Sequence, residues 1–136
     1  MISIVNSVAR SMLAAVFIWG GLYTLRKPKS RVELAKSLFD KTAKFGAPIS
    51  DANEESLVEL SAAVMVSAGA LLVLGKAPRL ASLALAGSLV PTTLSGHAYW
   101  EHDDPRTRSA HKVQLLKNAS ALGGLVLYAG RSGKSR

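Results

Sequence analysis

Residues 60–75 read LSAAVMVSAGALLVLG, a run without one Asp, Glu, Lys or Arg. An amphipathic helix on a water-soluble domain carries a polar side chain every turn or two on the face that meets water. This run has no such face, and it is too long and too poor in alternation for a strand. Residues 11–25, 80–100 and 118–130 have the same character. All 17 Lys and Arg and all 9 Asp and Glu lie outside these stretches.

Carried to their natural ends, the stretches predict helices over 8–25, 57–75, 80–98 and 113–130. At ~1.5 Å per residue each is roughly 27 Å long, close to a bilayer hydrocarbon core of about 30 Å. Only helices satisfy every backbone donor and acceptor within one such span. The expected fold is therefore all-α, an integral membrane four-helix bundle forming a single transmembrane domain over residues 1–136. A soluble arrangement of four buried core helices would need an outer polar layer that 136 residues cannot supply. The first stretch, after Arg10, could pass for a signal peptide and is read as a retained span.

With no cysteine, the chain has no disulfide, no thiolate metal site and no thiol exchange of its own. The net charge of +8 comes from basic residues that flank the apolar runs. That placement suits anionic lipid headgroups rather than nucleic acid.

The long first connection is patterned. Val32, Ala35, Phe39, Thr42 and Gly46 recur at helical spacing, while Arg31, Lys36, Lys41 and Lys44 fall largely elsewhere. This predicts a short amphipathic helix over 31–46 lying in the membrane interface, the alternative being a solvated basic connector. Gly75 to Arg79 is a tight turn, so the second and third spans are antiparallel neighbours. Small residues at Ala84, Ser88, Thr92 and Gly96, at Ser120 and Gly124, and at Gly20 and Gly21 suit close helix packing. Pro91 frees the Gly87 carbonyl, for which Ser88 or Thr92 could supply a donor, and predicts a bend.

Four spans put both termini on one side. The loop side carries Arg26, Lys27, Lys29, Arg31, Lys36, Lys41, Lys44, Arg106, Arg108 and Lys112; the terminal side carries Arg10, Lys76, Arg79, Arg131, Lys134 and Arg136. The positive-inside rule then favours first and third loops in the cytoplasm. The polar residues of the spans also gather on the loop side: Tyr23, Glu59, His97, Tyr99, Trp100, Lys117 and Asn118. An ionisable group below the headgroups is costly unless paired or snorkelling, so Glu59, His97 and Lys117 read as a shallow pocket for a quinone headgroup or small anion. The same residues also read as an aromatic belt with a structural Glu59–Lys117 pair. His97, His102 and His111 beside Glu101, Asp103 and Asp104 lack metal-ligand spacing, and no metal is expected.

Ala9-Arg10 leading into Phe17 and Gly21, the glycine-bounded Gly69 to Gly75, Gly96-His97-Ala98-Tyr99-Trp100, and Lys117-Asn118 through Gly123-Gly124-Leu125 follow one another along nearly the whole chain. In this order the sequence resembles the DoxX family of bacterial four-span membrane proteins. Where that family often has a glutamate followed by paired glycines, this chain reads Met65-Val66-Ser67-Ala68-Gly69, so no role for that carboxylate carries over. The resemblance implies a multi-pass bacterial plasma-membrane protein tied to sulfur or oxidative-stress redox chemistry. Some relatives are similar to membrane subunits of a thiosulfate:quinone oxidoreductase, and others to scaffolds for antioxidant enzymes. The expected function is a membrane subunit or scaffold of a redox-linked complex, without chemistry or a covalently bound cofactor of its own. Its partners would be the bilayer, anionic lipids and other membrane or membrane-associated subunits. The alternatives are a quinone-interacting oxidoreductase subunit and a small lipid or anion transporter.

Overall fold

A computed structural model describes residues 2–44, 46, 51–96 and 99–131. The described residues form helices and turns, with no strand among them. Five α-helices follow in order: α1 (Ile2–Arg26), α2 (Pro28–Lys44), α3 (Asp51–Leu74), α4 (Pro78–Gly96) and α5 (Pro105–Arg131). A single 3-10 turn, Tyr99–Glu101, precedes α5.

Two helices, α1 and α3, are long and apolar enough to cross a membrane. Their candidate spans are Ser3–Arg26, with mean hydropathy 1.4, and Glu54–Leu74, with mean hydropathy 2.2. Helices α4 and α5 are more diluted, α4 by Ser82, Ser88, Pro91, Thr92 and Thr93, and α5 by its basic first turns.

Helices α1, α3 and α5 start well before the apolar stretches that announced them, whereas α4 is shifted two residues earlier at its start, because helix starts are set by capping as well as hydropathy. Asp104 shows this most clearly. Its Oδ2 accepts from the Thr107 amide at 2.9 Å and from the Thr107 hydroxyl at 2.8 Å. Pro105 occupies the first helical position, where its missing N–H costs nothing. The cap carries α5 two turns beyond the expected start at 113.

Helix α1 lies along α3 in the tightest contact of the molecule. A Cβ on Gly21 would stand 2.7 Å from Val66 Cγ2 and 2.8 Å from the Ala62 carbonyl oxygen. From the other side, a Cβ on Gly69 would stand 2.7 Å from Ile18 Cγ1. These reciprocal contacts make α1 and α3 antiparallel and place Arg10 over Gly75, just past the α3 terminus. Gly75, at φ +69°, closes α3 in a Schellman turn: its amide bonds the Leu72 carbonyl at 3.2 Å and the Lys76 amide bonds the Leu71 carbonyl at 2.9 Å. The Arg10 guanidinium, which donates to Ser7 Oγ at 3.0 Å, brings positive charge to the negative end of the α3 dipole.

Past the turn α4 packs against α3, and α5 packs against α4. Leu13 of α1 lies 3.7 Å from where a Gly124 Cβ would stand, so α1 also touches α5. The core between them holds Ala14, Phe17, Ala68, Leu72, Ala81, Leu85, Leu89 and Leu125. Helix α4 continues through Pro91, flanked by hydroxyls that donate to carbonyls one turn back: Ser88 to Ala84, Thr92 to Ser88 and Thr93 to Leu89. Helix α2 packs against α3 and α4.

Gly21→Ala forces a methyl against backbone and is expected to destabilise the protein by about 1–3 kcal/mol. Gly87, where a Cβ meets nothing within 4 Å, should accept alanine with no loss. Thermal unfolding of the two variants in detergent checks this contrast. The Thr107 amide, then its hydroxyl, hold the Asp104 carboxyl below its ordinary range. A lowered folded-state pKa means the cap contributes fully above the unfolded value of about 3.9 and is lost as pH falls through the folded value. The protection of the Thr107 amide relative to its intrinsic exchange rate should therefore fall in acid, and Asp104→Ala should lower it already at neutral pH.

Candidate functional site

The end of the molecule that carries α2, the 3-10 turn and the start of α5 gathers most of the aromatic and basic side chains. Four elements build it. The last turn of α1 presents Tyr23, whose ring lies beneath two cations: Lys27 Nζ is 5.8 Å and the Arg31 guanidinium carbon 5.5 Å from its centroid. The Lys27 amide bonds the carbonyls of Tyr23 and Thr24, so α1 hands over to α2 with hardly a break. That short handover lets Arg31 reach back over Tyr23.

A second tyrosine is held the same way. Tyr99, in the 3-10 turn, has Arg108 at 5.8 Å and Lys112 at 5.9 Å from its ring centroid, one turn apart on α5. Trp100 meets Tyr99 edge to face at 5.3 Å and is half exposed. His102 and His111 stack at 4.3 Å with their planes 11° apart. Cation–ring and ring–ring contacts thus dock the 3-10 turn on α5. No group of three metal-ligating residues forms among the described residues.

Below this layer Asn118 Nδ2 donates to Thr93 Oγ1 at 3.0 Å, and Thr93 passes a hydrogen bond to the Leu89 carbonyl at 2.7 Å. The amide therefore ties α5 to α4 inside the apolar region, where such a bond replaces contacts that water cannot supply. Glu59 and Lys117 are both exposed, on α3 and α5, with no ion pair between them among the described residues. His97 lies outside the described residues.

The packing residues named from sequence fall in different settings. Gly21 sits in the α1–α3 seam, and Gly20 faces the end of Met65 at 3.6 Å. Ala84, Ser88 and Thr92 are half-buried on α4, and Gly124 faces α1. Ser120 is exposed and bonds its own helix at Leu116. The side-chain environment at Gly96 lies outside the description.

Sequence reasoning passed over Glu54. In the first turn of α3 it is 9% exposed, whereas Glu59 faces outward. Glu54, Ser61 and Ala68 follow at seven-residue steps, which put the acid on the inward stripe of α3. That periodicity was the available signal. Lys27, Arg31, Arg108 and Lys112 were counted as charge rather than as ring partners, although Tyr23–Lys27 and Arg108–Lys112 are each four residues apart.

Between α2 and α3 lies an open cavity of about 400 Å³ lined by Lys29, Ser30, Val32, Glu33, Lys36 and Glu55. Among the described residues no ion pair joins its lysines to its glutamates.

The family model described as DoxX matches residues 5–98, which takes in α1 to α4 and the residues that lead to Tyr99. No curated protein and no solved structure matches the chain. A match over more than half of the chain, set on an all-helical fold with two apolar helices of membrane-spanning length, leads to one conclusion: the chain belongs to the DoxX family.

Proposed function

We propose that the chain is a four-span, multi-pass protein of the bacterial plasma membrane that acts as a non-catalytic subunit or scaffold of a redox-linked membrane complex. Its spans are α1, α3, α4 and α5, with α2 in the interface. Support for the two less apolar spans comes from their outward faces. Leu80 and Leu83 on α4 and Val126 and Leu127 on α5 are more than half exposed, as are Trp19 on α1 and Leu60 on α3. So much exposed apolar surface on every long helix suits lipid rather than water. The link to sulfur or oxidative-stress chemistry rests on family resemblance alone.

The observation that carries the subunit reading is the one-sidedness of the molecule. At one end Arg10 lies over the α3–α4 turn; toward the other, Tyr23 and Trp100 are exposed near the cations that stand over Tyr23 and Tyr99. Exposed aromatics with arginine are enriched in protein contacts, and Tyr23, Trp100 and Arg108 supply them here. With no cysteine, the chain must borrow thiol redox chemistry from a partner.

Mild solubilisation at native expression should bring down a membrane or membrane-associated redox enzyme with this chain. Trp100→Ala combined with Lys117→Glu should reduce the copurified partner by roughly tenfold or more while leaving the level of the chain unchanged. A chain that purifies alone would contradict the proposal.

A further inference from the structure

The strongest unspent chemistry lies where α1 turns into α2. Lys27 and Arg31 stand over the Tyr23 ring, and neither is in an ion pair among the described residues. A ring face offsets the charge of a cation but accepts few of its N–H bonds, which still need oxygen acceptors. Arg31 Nε is moreover buried with no hydrogen-bond partner. The cavity of about 400 Å³ takes no part in this corner: its α2 residues Lys29, Val32, Glu33 and Lys36 share one helix face, and Arg31 lies about half a turn round from them.

We infer that this corner binds one anionic phospholipid. Arg31 and Lys27 hold its phosphate beside Tyr23. Phosphate oxygens offer charged acceptors to both cations. A headgroup that carries no ammonium leaves the lipid a net negative charge for the two cations to meet, which a choline or ethanolamine headgroup does not. A lipid rather than free phosphate is selected by what lies below. Tyr23, Trp19, Val16 and Met12 run down one outer stripe of α1, with Trp19 73%, Val16 66% and Met12 71% exposed. An acyl chain descending from the corner would cover that stripe. The inference rests on the proposed membrane span of α1.

The test uses the purified full-length chain in neutral detergent, with thermal unfolding and native mass spectrometry read against phosphatidylglycerol, phosphatidylethanolamine, phosphatidylcholine and inorganic phosphate. Phosphatidylglycerol should stabilise the protein and be retained as a single tightly held adduct. Arg31→Gln should weaken its apparent affinity about tenfold, as loss of a charge-assisted bond does. Lys27→Gln gives a second variant should the first fail to fold, and Arg108→Gln, on the other tyrosine, should bind as the wild type does. Equal stabilisation by phosphatidylcholine or phosphatidylethanolamine, an effect of inorganic phosphate alone, or unchanged binding by Arg31→Gln and Lys27→Gln would overturn the inference. Carbonate washing of membranes separates the two failures. A chain released by the wash refutes the spanning reading, whereas a retained chain without lipid preference refutes this site alone.

Discussion

The close approach of α1 and α3 at Gly21 and Gly69 is the contact on which the rest of the molecule depends. In an apolar surrounding, two apolar helices gain nothing by hiding from solvent, so short-range packing and a few hydrogen bonds must hold them. Removing a methyl at Gly21 lets one backbone reach the Ala62 carbonyl of the other. The resulting register places Arg10 over Gly75, where α3 ends and the chain reverses. The reversal sets α4 beside α3, and Asn118 then fastens α5 to α4 through Thr93. Ala77, at φ +44°, shows how hard the chain is bent there, since a side chain ahead of Pro78 is poorly suited to that conformation.

The same register makes the two ends unequal. At the α3–α4 turn the Gly75 and Lys76 amides close the helix and Arg10 faces its carbonyl end. At the other end α1 runs directly into α2, and the 3-10 turn folds back on α5. Each brings a tyrosine beneath an arginine and a lysine. Cations placed over rings rather than against carboxylates remain able to attract phosphate or acidic groups. A subunit that docks partners at one membrane face and lipid at its edge can be built from these parts without catalytic residues of its own.

Much of this was legible in the sequence, and the remainder was hidden for physical reasons. Charge-free runs mark the apolar helices because a charge in such a run is costly, and the alternation of Val32 with basic residues marked α2 as amphipathic. Helix lengths were not legible from hydropathy, since Asp104 and Pro105 start α5 among charged residues by capping alone. Gly69 looked like ordinary composition until its opposite number on α1, Ile18, was known. Choosing between Glu54 and Glu59 required the inward stripe of α3, which depends on α1 docking along it. The Asn118–Thr93 bond joins residues 25 apart, and only the antiparallel pairing of α4 and α5 brings them together. Tyr23 and Tyr99 were read as belt residues, but three of the four cations that define their surroundings, Arg31, Arg108 and Lys112, come from the next helix.

Because the chain contains no cysteine, its membrane topology can be mapped with single introduced cysteines and an impermeant thiol reagent. The account predicts that Ser3→Cys and Lys76→Cys label from one side of the membrane and Lys36→Cys and Arg106→Cys from the other. Val16→Cys, Val64→Cys, Leu83→Cys and Val126→Cys should stay protected until detergent is added. Free labelling at Leu83→Cys and Val126→Cys in intact membranes, or labelling of Lys76→Cys and Arg106→Cys from the same side, would contradict the four-span bundle.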